Sequence, residues 1–201
     1  MKVTDLLLPL LKSPLLWLIC AMNFGLTLIR ITFAQWTPLY LYEITGLNEG
    51  QAARASAYVP LLGAVSAMLE GILPDWLKGK HGIVCLICIG CMIVCLIMLS
   101  TLPIEERPVF AVSLLGAVSF FLMAPYSYPF GVMALDLGGK QGSSTTSGIS
   151  DAAGYFGAMI SGYGIASIVE HYGWHTAFAF LAAIAFATGI AATMYWLFHE
   201  R

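Results

Sequence analysis

The chain has 201 residues, of which 59% are hydrophobic and only 10% are charged, and its mean hydropathy is +0.84. A soluble globular domain carries about 25% charged residues, so this composition excludes a soluble enzyme or binding domain and predicts a polytopic membrane protein. The net charge of -2 excludes a broad cationic surface for nucleic acid. The lipid bilayer is therefore the first partner that the sequence predicts.

Charged and turn residues divide the chain into six apolar stretches, each long enough for a helix that needs roughly 20 residues to cross a bilayer. None of them has the alternating pattern of a barrel strand. The sequence therefore predicts an all-α membrane protein with a single six-span transmembrane domain over residues 1–201. The predicted spans are residues 14–42, 51–74, 82–102, 108–135, 142–169 and 174–198.

The basic residues outside the spans predict the orientation. An even number of spans places both termini on one side, and the side richer in Lys and Arg faces the cytoplasm. The segment Leu6–Leu11 is too short for a cleavable signal peptide. We expect both termini in the cytoplasm, and the plasma membrane and the endoplasmic reticulum membrane both stay open. The predicted cytoplasmic side carries Lys2, Lys12, Lys78, Lys80, Lys140 and Arg201, and the other side carries Arg54 and Arg107.

Arg30 is a charge in the middle of the first span, with no other charge between Ser13 and Tyr42. A charge at this depth is costly, so it should face the bundle interior or a water-filled cavity. Steps of three and four residues from Arg30 reach Asn23, Thr27, Ala34 and Thr37. We interpret this polar or small stripe as the wall of a cavity, with Asn23 and Thr27 as candidate substrate-binding residues. The planar guanidinium suits a carboxylate or, better, a phosphate. The alternative is a buried ion pair that joins two helices.

The third span contains four cysteines, Cys85, Cys88, Cys91 and Cys95, near one helix face. Thiolates in a row could in principle bind a soft metal, but one helix does not supply a tetrahedral cage. We interpret them as packing residues and predict no metal.

The fourth span contains the sequence Pro125-Tyr126-Ser127-Tyr128-Pro129. Two prolines four residues apart predict a kink, because each removes a helical hydrogen bond. Bent helices in the membrane are typical of transporter sites, so Tyr126 and Tyr128 are candidate substrate ligands. They are equally suited to an interfacial anchoring role.

The fifth span carries Asp151, the candidate partner if Arg30 forms a structural ion pair. Ser147, Asp151 and Tyr155 recur every four residues, so they share a face and could line the same cavity as Arg30. Asp151 could serve proton coupling or hold helices together by hydrogen bonds. Small residues on the same helix, Gly154, Gly157, Ser161 and Gly164, predict close helix packing.

Two sets of residues resemble a known superfamily. In the loop after the second span, Gly71, Asp75, Lys78 and Lys80 resemble the loop motif of the major facilitator superfamily. The run with Arg30 followed by Trp36-Thr37-Pro38-Leu39-Tyr40-Leu41 is similar to the seventh span of the organophosphate:phosphate antiporters, the glycerol-3-phosphate and hexose-phosphate transporter family. The same family pattern continues downstream in Ala134-Leu135-Asp136, Lys140, Gly148, Gly154-Tyr155 and Gly173-Trp174.

The resemblance implies one six-helix half of a twelve-helix transporter, which exchanges an organophosphate or sugar phosphate for inorganic phosphate by alternating access. Arg30 matches the family arginine that grips the phosphate, and Tyr155 matches a tyrosine near the cavity. Gly71, Asp75, Lys78 and Lys80 would brace helix ends during the conformational switch. The sequence departs from bacterial members at Thr27, where they place a tyrosine, and near Pro60, where they carry an acid.

The same resemblance implies a partner: a missing N-terminal six-helix half or a second copy of the chain. Two other functions stay open. One is a proton-coupled transporter of another organic anion or small molecule that uses Asp151, and the other is a non-transporting membrane scaffold or truncated fragment. An intramembrane protease is excluded because no histidine lies at depth to activate a serine such as Ser150. We therefore predict no enzyme activity, no catalytic residue and no cofactor.

Overall fold

The computed structural model describes residues 3–76, 81–105, 107–129 and 131–199. These residues form helices and connecting turns without a strand, which confirms the predicted all-α class. The helices are α1 (Val3–Lys12), α2 (Pro14–Thr45), α3 (Glu49–Ser56), α4 (Tyr58–Trp76), α5 (His81–Thr101), α6 (Pro108–Ser127) and α7 (Val132–His199).

Five helical stretches in the described residues are long and apolar enough to cross a membrane: Pro14–Thr45, Glu49–Leu69, Gly82–Thr101, Pro108–Gly139 and Gly142–Phe198. The first four each correspond to one predicted span. The fifth has 57 residues, and a straight helix of that length would extend about 85 Å, far beyond the roughly 30 Å hydrocarbon core.

The fifth stretch is a hairpin of two crossings, and Gly173 is the turn. Its φ of 80° lies in the left-handed region, which glycine adopts without a steric penalty. Gly157 packs against the backbone of Phe24, while Thr188 packs against the neighbouring Gly25. In a straight helix, residues 157 and 188 would lie about 46 Å apart, so the chain must reverse between them. The two arms of α7, residues 142–172 and 174–198, complete the predicted six-span bundle.

The sequence marks both ends of the first long helix. Pro14 occupies the first turn of α2, where a missing N–H has no cost. Gly46 ends the helix in the left-handed conformation with φ 70°. Asn48 then starts α3 through a capping box with Gln51. These local signals fix the short connection between the first two spans.

The second span is interrupted at Ala57, between α3 and α4, by one tightened turn: Ala57 keeps helical dihedral angles (φ -64°, ψ -23°), and its N–H bonds the Arg54 carbonyl three residues back. The sequence predicted an uninterrupted helix from residue 51, and the difference arises from Pro60. Proline has no N–H to donate to the Ser56 carbonyl, so the regular hydrogen-bond ladder is interrupted at this point. The span therefore consists of a short helix and a longer one.

The prolines of the fourth span also interrupt their helix. Pro125 remains inside α6, but α6 ends at Ser127, and Tyr128 and Pro129 form a turn before α7 begins at Val132. This turn confirms the predicted break.

The first long helix, α2, is the centre of the bundle. It packs against α7, α6 and α3, whereas α4 packs mainly against α6. Gly154 and Gly157 approach α2 so closely that a Cβ atom would collide with Thr27 or with the Phe24 backbone, which confirms the predicted close packing at these two positions. Gly164 approaches no other helix, because a Cβ there would meet only Ile160 of its own helix. At the other end of α2, Trp174 packs edge-on against Tyr40 at 5.2 Å between ring centroids.

Candidate functional site

The guanidinium of Arg30 lies near the centre of α2 and is half-buried. Its Cζ atom is 4.6 Å from the centroid of the Tyr126 ring, which is within cation–π range. Its Nε is buried and has no hydrogen-bond partner. The arginine therefore rests on an aromatic platform, and part of its hydrogen-bonding capacity is unused.

Among the carboxylates whose side chains the structure describes, none comes within ion-pair distance of Arg30. Among the same side chains, His175 Nε2 lies 3.6 Å from Glu105 Oε1, a contact that is an ion pair when the histidine is protonated. Asp151 is exposed on α7 and does not pair with Arg30. The ion pair between Arg30 and Asp151, the candidate partner from the sequence, is thus not formed. A cation without a counter-charge inside a bundle favours the alternative, in which the counter-charge is a ligand.

A cavity of about 290 Å³ opens beside Arg30, between α2, the break at Ala57 and α6. This volume is near the lower end of the range for small-molecule sites, about 300–1,000 Å³. Its charged lining residue is the cation Arg30, and its other polar lining residues are threonine and serine. The complete lining is Arg30, Phe33, Ala34, Thr37, Pro38, Ser56, Ala57, Val59, Pro60, Ser119, Leu122 and Met123.

The hydroxyl groups of the cavity differ in what they bind. Thr37 Oγ1 donates to the Phe33 carbonyl at 2.6 Å, and Ser56 Oγ donates to the Ala53 carbonyl at 2.8 Å. Ser119 is 5% exposed, and its hydroxyl makes no hydrogen bond to the described part of the chain. With their protons already engaged, Thr37 and Ser56 can only accept hydrogen bonds from a ligand.

The stripe predicted along α2 divides into two parts. Ala34 and Thr37 line the cavity, as the sequence suggested for the whole stripe. Asn23 and Thr27 instead lie buried at the contact between α2 and α7. Asn23 Nδ2 donates to the Ser150 carbonyl at 2.7 Å, and Asn23 Oδ1 accepts from Thr27 Oγ1 at 3.0 Å. In this structure these two residues join helices and do not line the Arg30 cavity.

The two candidate tyrosines of the fourth span separate in the same way. Tyr126 lies against Arg30, whereas Tyr128 is 3% exposed and packs in the hydrophobic core outside the cavity lining. Asp151 and Tyr155 share an outward face of the 142–172 arm, where Tyr155 is 70% exposed. The structure therefore does not bring Ser147, Asp151 and Tyr155 to the cavity beside Arg30.

The predicted switch loop is only partly within the described residues. Gly71 and Asp75 belong to the last turns of α4, and Lys78 and Lys80 lie outside the described ranges. Its role stays a prediction.

The cysteines of the third span follow one side of α5, with Cys85 buried and Cys88, Cys91 and Cys95 half-buried. Cys85 and Cys95 contact the hydrophobic core. Within the described ranges, no group of three metal-ligating side chains converges. Core packing accounts for their positions.

Sequence reasoning missed three contributors to the cavity: Ser56, Pro60 and Ser119. Pro60 is the one that carried a usable signal, because a proline inside a long apolar stretch predicts a helix break and a carbonyl without its donor. Ser119 carried none, since serine in a membrane helix commonly bonds its own backbone.

The six-helix membrane bundle, with an arginine beside an interior cavity, defines a multi-pass membrane protein. No protein-family model matches the chain. It is similar to curated transport proteins from bacteria and animals. A probable hexose phosphate transport protein of Chlamydia muridarum is 27% identical over 87% of the chain, and the match covers 38% of that protein. Sugar phosphate exchanger 3 of Gallus gallus is 29% identical over 81% of the chain, and the match covers 33% of it.

A third relative, the glycerol-3-phosphate transporter of Haemophilus influenzae, is 27% identical over 84% of the chain, with 38% of its own length covered. The three names share a phosphorylated small molecule, in agreement with the resemblance noted from the sequence motifs. The chain spans well under half the length of these relatives.

Proposed function

We propose that the chain is part of a secondary transporter that exchanges an organophosphate or sugar phosphate for inorganic phosphate by alternating access, with Arg30 as the phosphate ligand. The observation that supports the proposal is the half-buried Arg30, with a buried unpaired Nε and no carboxylate partner among the described side chains, beside a cavity of about 290 Å³. A phosphate would supply the missing negative charge, and its oxygens match the spacing of the guanidinium donors.

Tyr126 is the second ligand-positioning residue in this proposal. Its ring holds the guanidinium plane through the cation–π contact. A ligand bound from the cavity side would then meet an arginine whose orientation is already fixed, which reduces the entropy lost on binding.

The rest of the transporter would cover the exposed faces of the 142–172 arm and of α4. Tyr155, Met159 and Tyr163 on the arm are 70%, 72% and 86% exposed, and Met68 on α4 is 74% exposed. The relatives are more than twice as long as the matched segment. A first six-helix half, or a second copy of the chain, would bury these faces next to the cavity.

In that arrangement Asp151 and Tyr155 would face the partner half, and the segment with Gly71, Asp75, Lys78 and Lys80 would brace the cytoplasmic helix ends as the halves move. Residues 1–201 would form one six-span domain with both termini in the cytoplasm. Asn23, Thr27 and Tyr128 would support the site from within the bundle without contacting the substrate.

Exchange of radiolabelled phosphate in proteoliposomes tests the proposal, with the chain reconstituted alone and with the remaining half of a full-length protein. Arg30→Gln should reduce phosphate affinity by about 100-fold, the equivalent of two charge-assisted hydrogen bonds. Arg30→Lys keeps the charge but loses the planar fork, so an intermediate loss is expected. Arg54→Gln, which removes an exposed arginine on α3, is the matched control. Phosphate exchange that survives Arg30→Gln unchanged would contradict the proposal.

A further inference from the structure

Two prolines line the cavity beside Arg30, and both lie in membrane-crossing stretches. Pro38 is inside α2, and Pro60 is in the first turn of α4. A proline at position i leaves the carbonyl of residue i-4 without its helical donor. Those carbonyls belong to Ala34 and Ser56, and both residues also line the cavity.

An unpaired carbonyl at membrane depth is costly unless it meets water, a side chain or a ligand. No side-chain hydrogen bond to the Ala34 or Ser56 carbonyl occurs in the described part of the chain. The nearest hydroxyls do not compensate, because those of Thr37 and Ser56 donate to other carbonyls. Apart from Arg30, the residues of the cavity wall therefore include two carbonyls without a helical donor and two hydroxyls whose protons are engaged.

The Ser119 hydroxyl adds an independent observation. It is almost fully buried, lines the same cavity and has no partner among the described residues. It lies so close to Gly63 that any larger residue at position 63 would collide with it. The absent side chain at Gly63 leaves room for this hydroxyl between α4 and α6.

The Arg30 guanidinium and the carbonyl oxygens of the cavity wall prefer opposite ligand groups. Arg30 attracts an anion, while carbonyl oxygens repel one and attract hydrogen-bond donors. A ligand with a phosphate at one end and hydroxyl groups at the other matches both.

We propose that the carbonyls of Ala34 and Ser56, together with the Ser119 hydroxyl, form a second subsite that binds the hydroxyl groups of the organic part of the substrate. This inference rests on the proposed function, since it assigns the other end of the same ligand. It makes Pro38 and Pro60 specificity-determining residues, because their missing N–H groups create the acceptors. An apolar organophosphate would leave those acceptors unpaired and would bind more weakly.

The test compares three ligands by isothermal titration of the purified chain in lipid nanodiscs: inorganic phosphate, glycerol 3-phosphate and propyl phosphate. The last two share a carbon chain and a phosphate, and differ in two hydroxyl groups. The unchanged chain should bind glycerol 3-phosphate about tenfold more tightly than propyl phosphate, as expected for one or two satisfied hydrogen bonds.

Replacing the prolines should remove this preference. Pro38→Ala and Pro60→Ala restore the N–H groups that bond the Ala34 and Ser56 carbonyls, so the double variant should bind the two organic ligands with nearly equal affinity. Affinity for inorganic phosphate should fall less than affinity for glycerol 3-phosphate, since Arg30 is untouched. Ser119→Ala should lower the preference by itself, by about threefold.

Two matched controls complete the design. Pro9→Ala makes the same change in α1, away from the cavity. Ser113→Ala removes an exposed hydroxyl on α6 that bonds the Val109 carbonyl. Both should keep the tenfold preference.

Equal binding of glycerol 3-phosphate and propyl phosphate by the unchanged chain overturns the subsite. So does a preference that survives both the double proline variant and Ser119→Ala. Failure of the unchanged chain to bind inorganic phosphate is a different result, because it overturns the proposed function and the subsite with it.

Discussion

Two neighbouring segments of α2 use polar residues in opposite ways. Between Asn23 and Thr27, every polar side-chain atom that is buried has a partner, and the segment packs tightly against the 142–172 arm. Between Arg30 and Pro38, the guanidinium has a buried unpaired nitrogen, and the segment faces a cavity. Satisfied polar groups hold helices together, whereas unsatisfied ones beside a cavity indicate a ligand.

The largest expected effect comes from disrupting the packed segment with Gly157→Val. The new side chain would collide with the Phe24 backbone and the Leu28 side chain, so the helices must separate, and we expect a loss of about 3 kcal/mol in the free energy of unfolding. SDS titration in mixed micelles measures it. Gly162→Val on the same arm, where a Cβ meets nothing within 4 Å, is the control. If both variants lose the same free energy of unfolding, the destabilisation by Gly157→Val does not come from close packing at Gly157.

Asn23→Leu should have the next largest effect. It leaves the Ser150 carbonyl and the Thr27 hydroxyl without their partner, so we expect a loss of about 2 kcal/mol in the same unfolding measurement. Thr32→Val, on the same helix, removes a hydroxyl that bonds only its own helix at Leu28, and it should cost less than about 0.5 kcal/mol. A stability unchanged by Asn23→Leu would mean that this polar pair does not join the helices.

Arg30→Met should stabilise the protein, whereas the two preceding variants destabilise it. This difference in sign is the clearest distinction between the two segments of α2. Removing a charge that has no protein partner should raise the free energy of unfolding by about 1 kcal/mol. The same variant should lose phosphate binding in titration calorimetry. Arg54→Met, at an exposed position, should alter neither quantity. A strongly destabilised Arg30→Met protein would instead assign Arg30 a structural role.

The smallest effect is expected at Tyr126. Tyr126→Leu removes the ring under the guanidinium and should weaken phosphate binding by about threefold, the equivalent of a partly exposed cation–π contact. Tyr126→Phe keeps the ring and should bind phosphate as the unchanged chain does. If Tyr126→Phe loses as much affinity as Tyr126→Leu, the hydroxyl and not the ring supports the site.

The membrane spans and the interior position of Arg30 could be predicted from the sequence, because each depends on the properties of a single segment. Length and apolar composition determine whether a helix can cross, and a central arginine must avoid lipid on any helix. Gly173 could likewise be placed in the turn between the last two spans, since Gly173-Trp174 separates two long apolar stretches.

The helix that packs against each polar face could not be predicted from the sequence. The 3.6-residue period tells which residues share a face, but α7 has polar residues on more than one face. The face with Ser150, Gly154 and Gly157 packs against α2, while the face with Asp151 and Tyr155 is exposed. Only the packing of whole helices decides between them, and for the same reason Asn23 and Thr27 could not be separated from Arg30 in advance.

The break at Ala57 has a mechanical consequence. At one end, α2 is joined to the turn of α7 by a hydrogen bond of 2.7 Å from Trp174 Nε1 to Glu43 Oε2. Along its length, α2 packs closely against α7 at Gly25, Gly154 and Gly157. α4 begins after the break and leans mainly on α6. A tilt of α4 about the Ala57 joint would change the width of the cavity without pulling α2 from its neighbours. The wall that carries Pro60 is therefore held mainly by α6, whereas the wall that carries Arg30 is held by α7, α6 and α3.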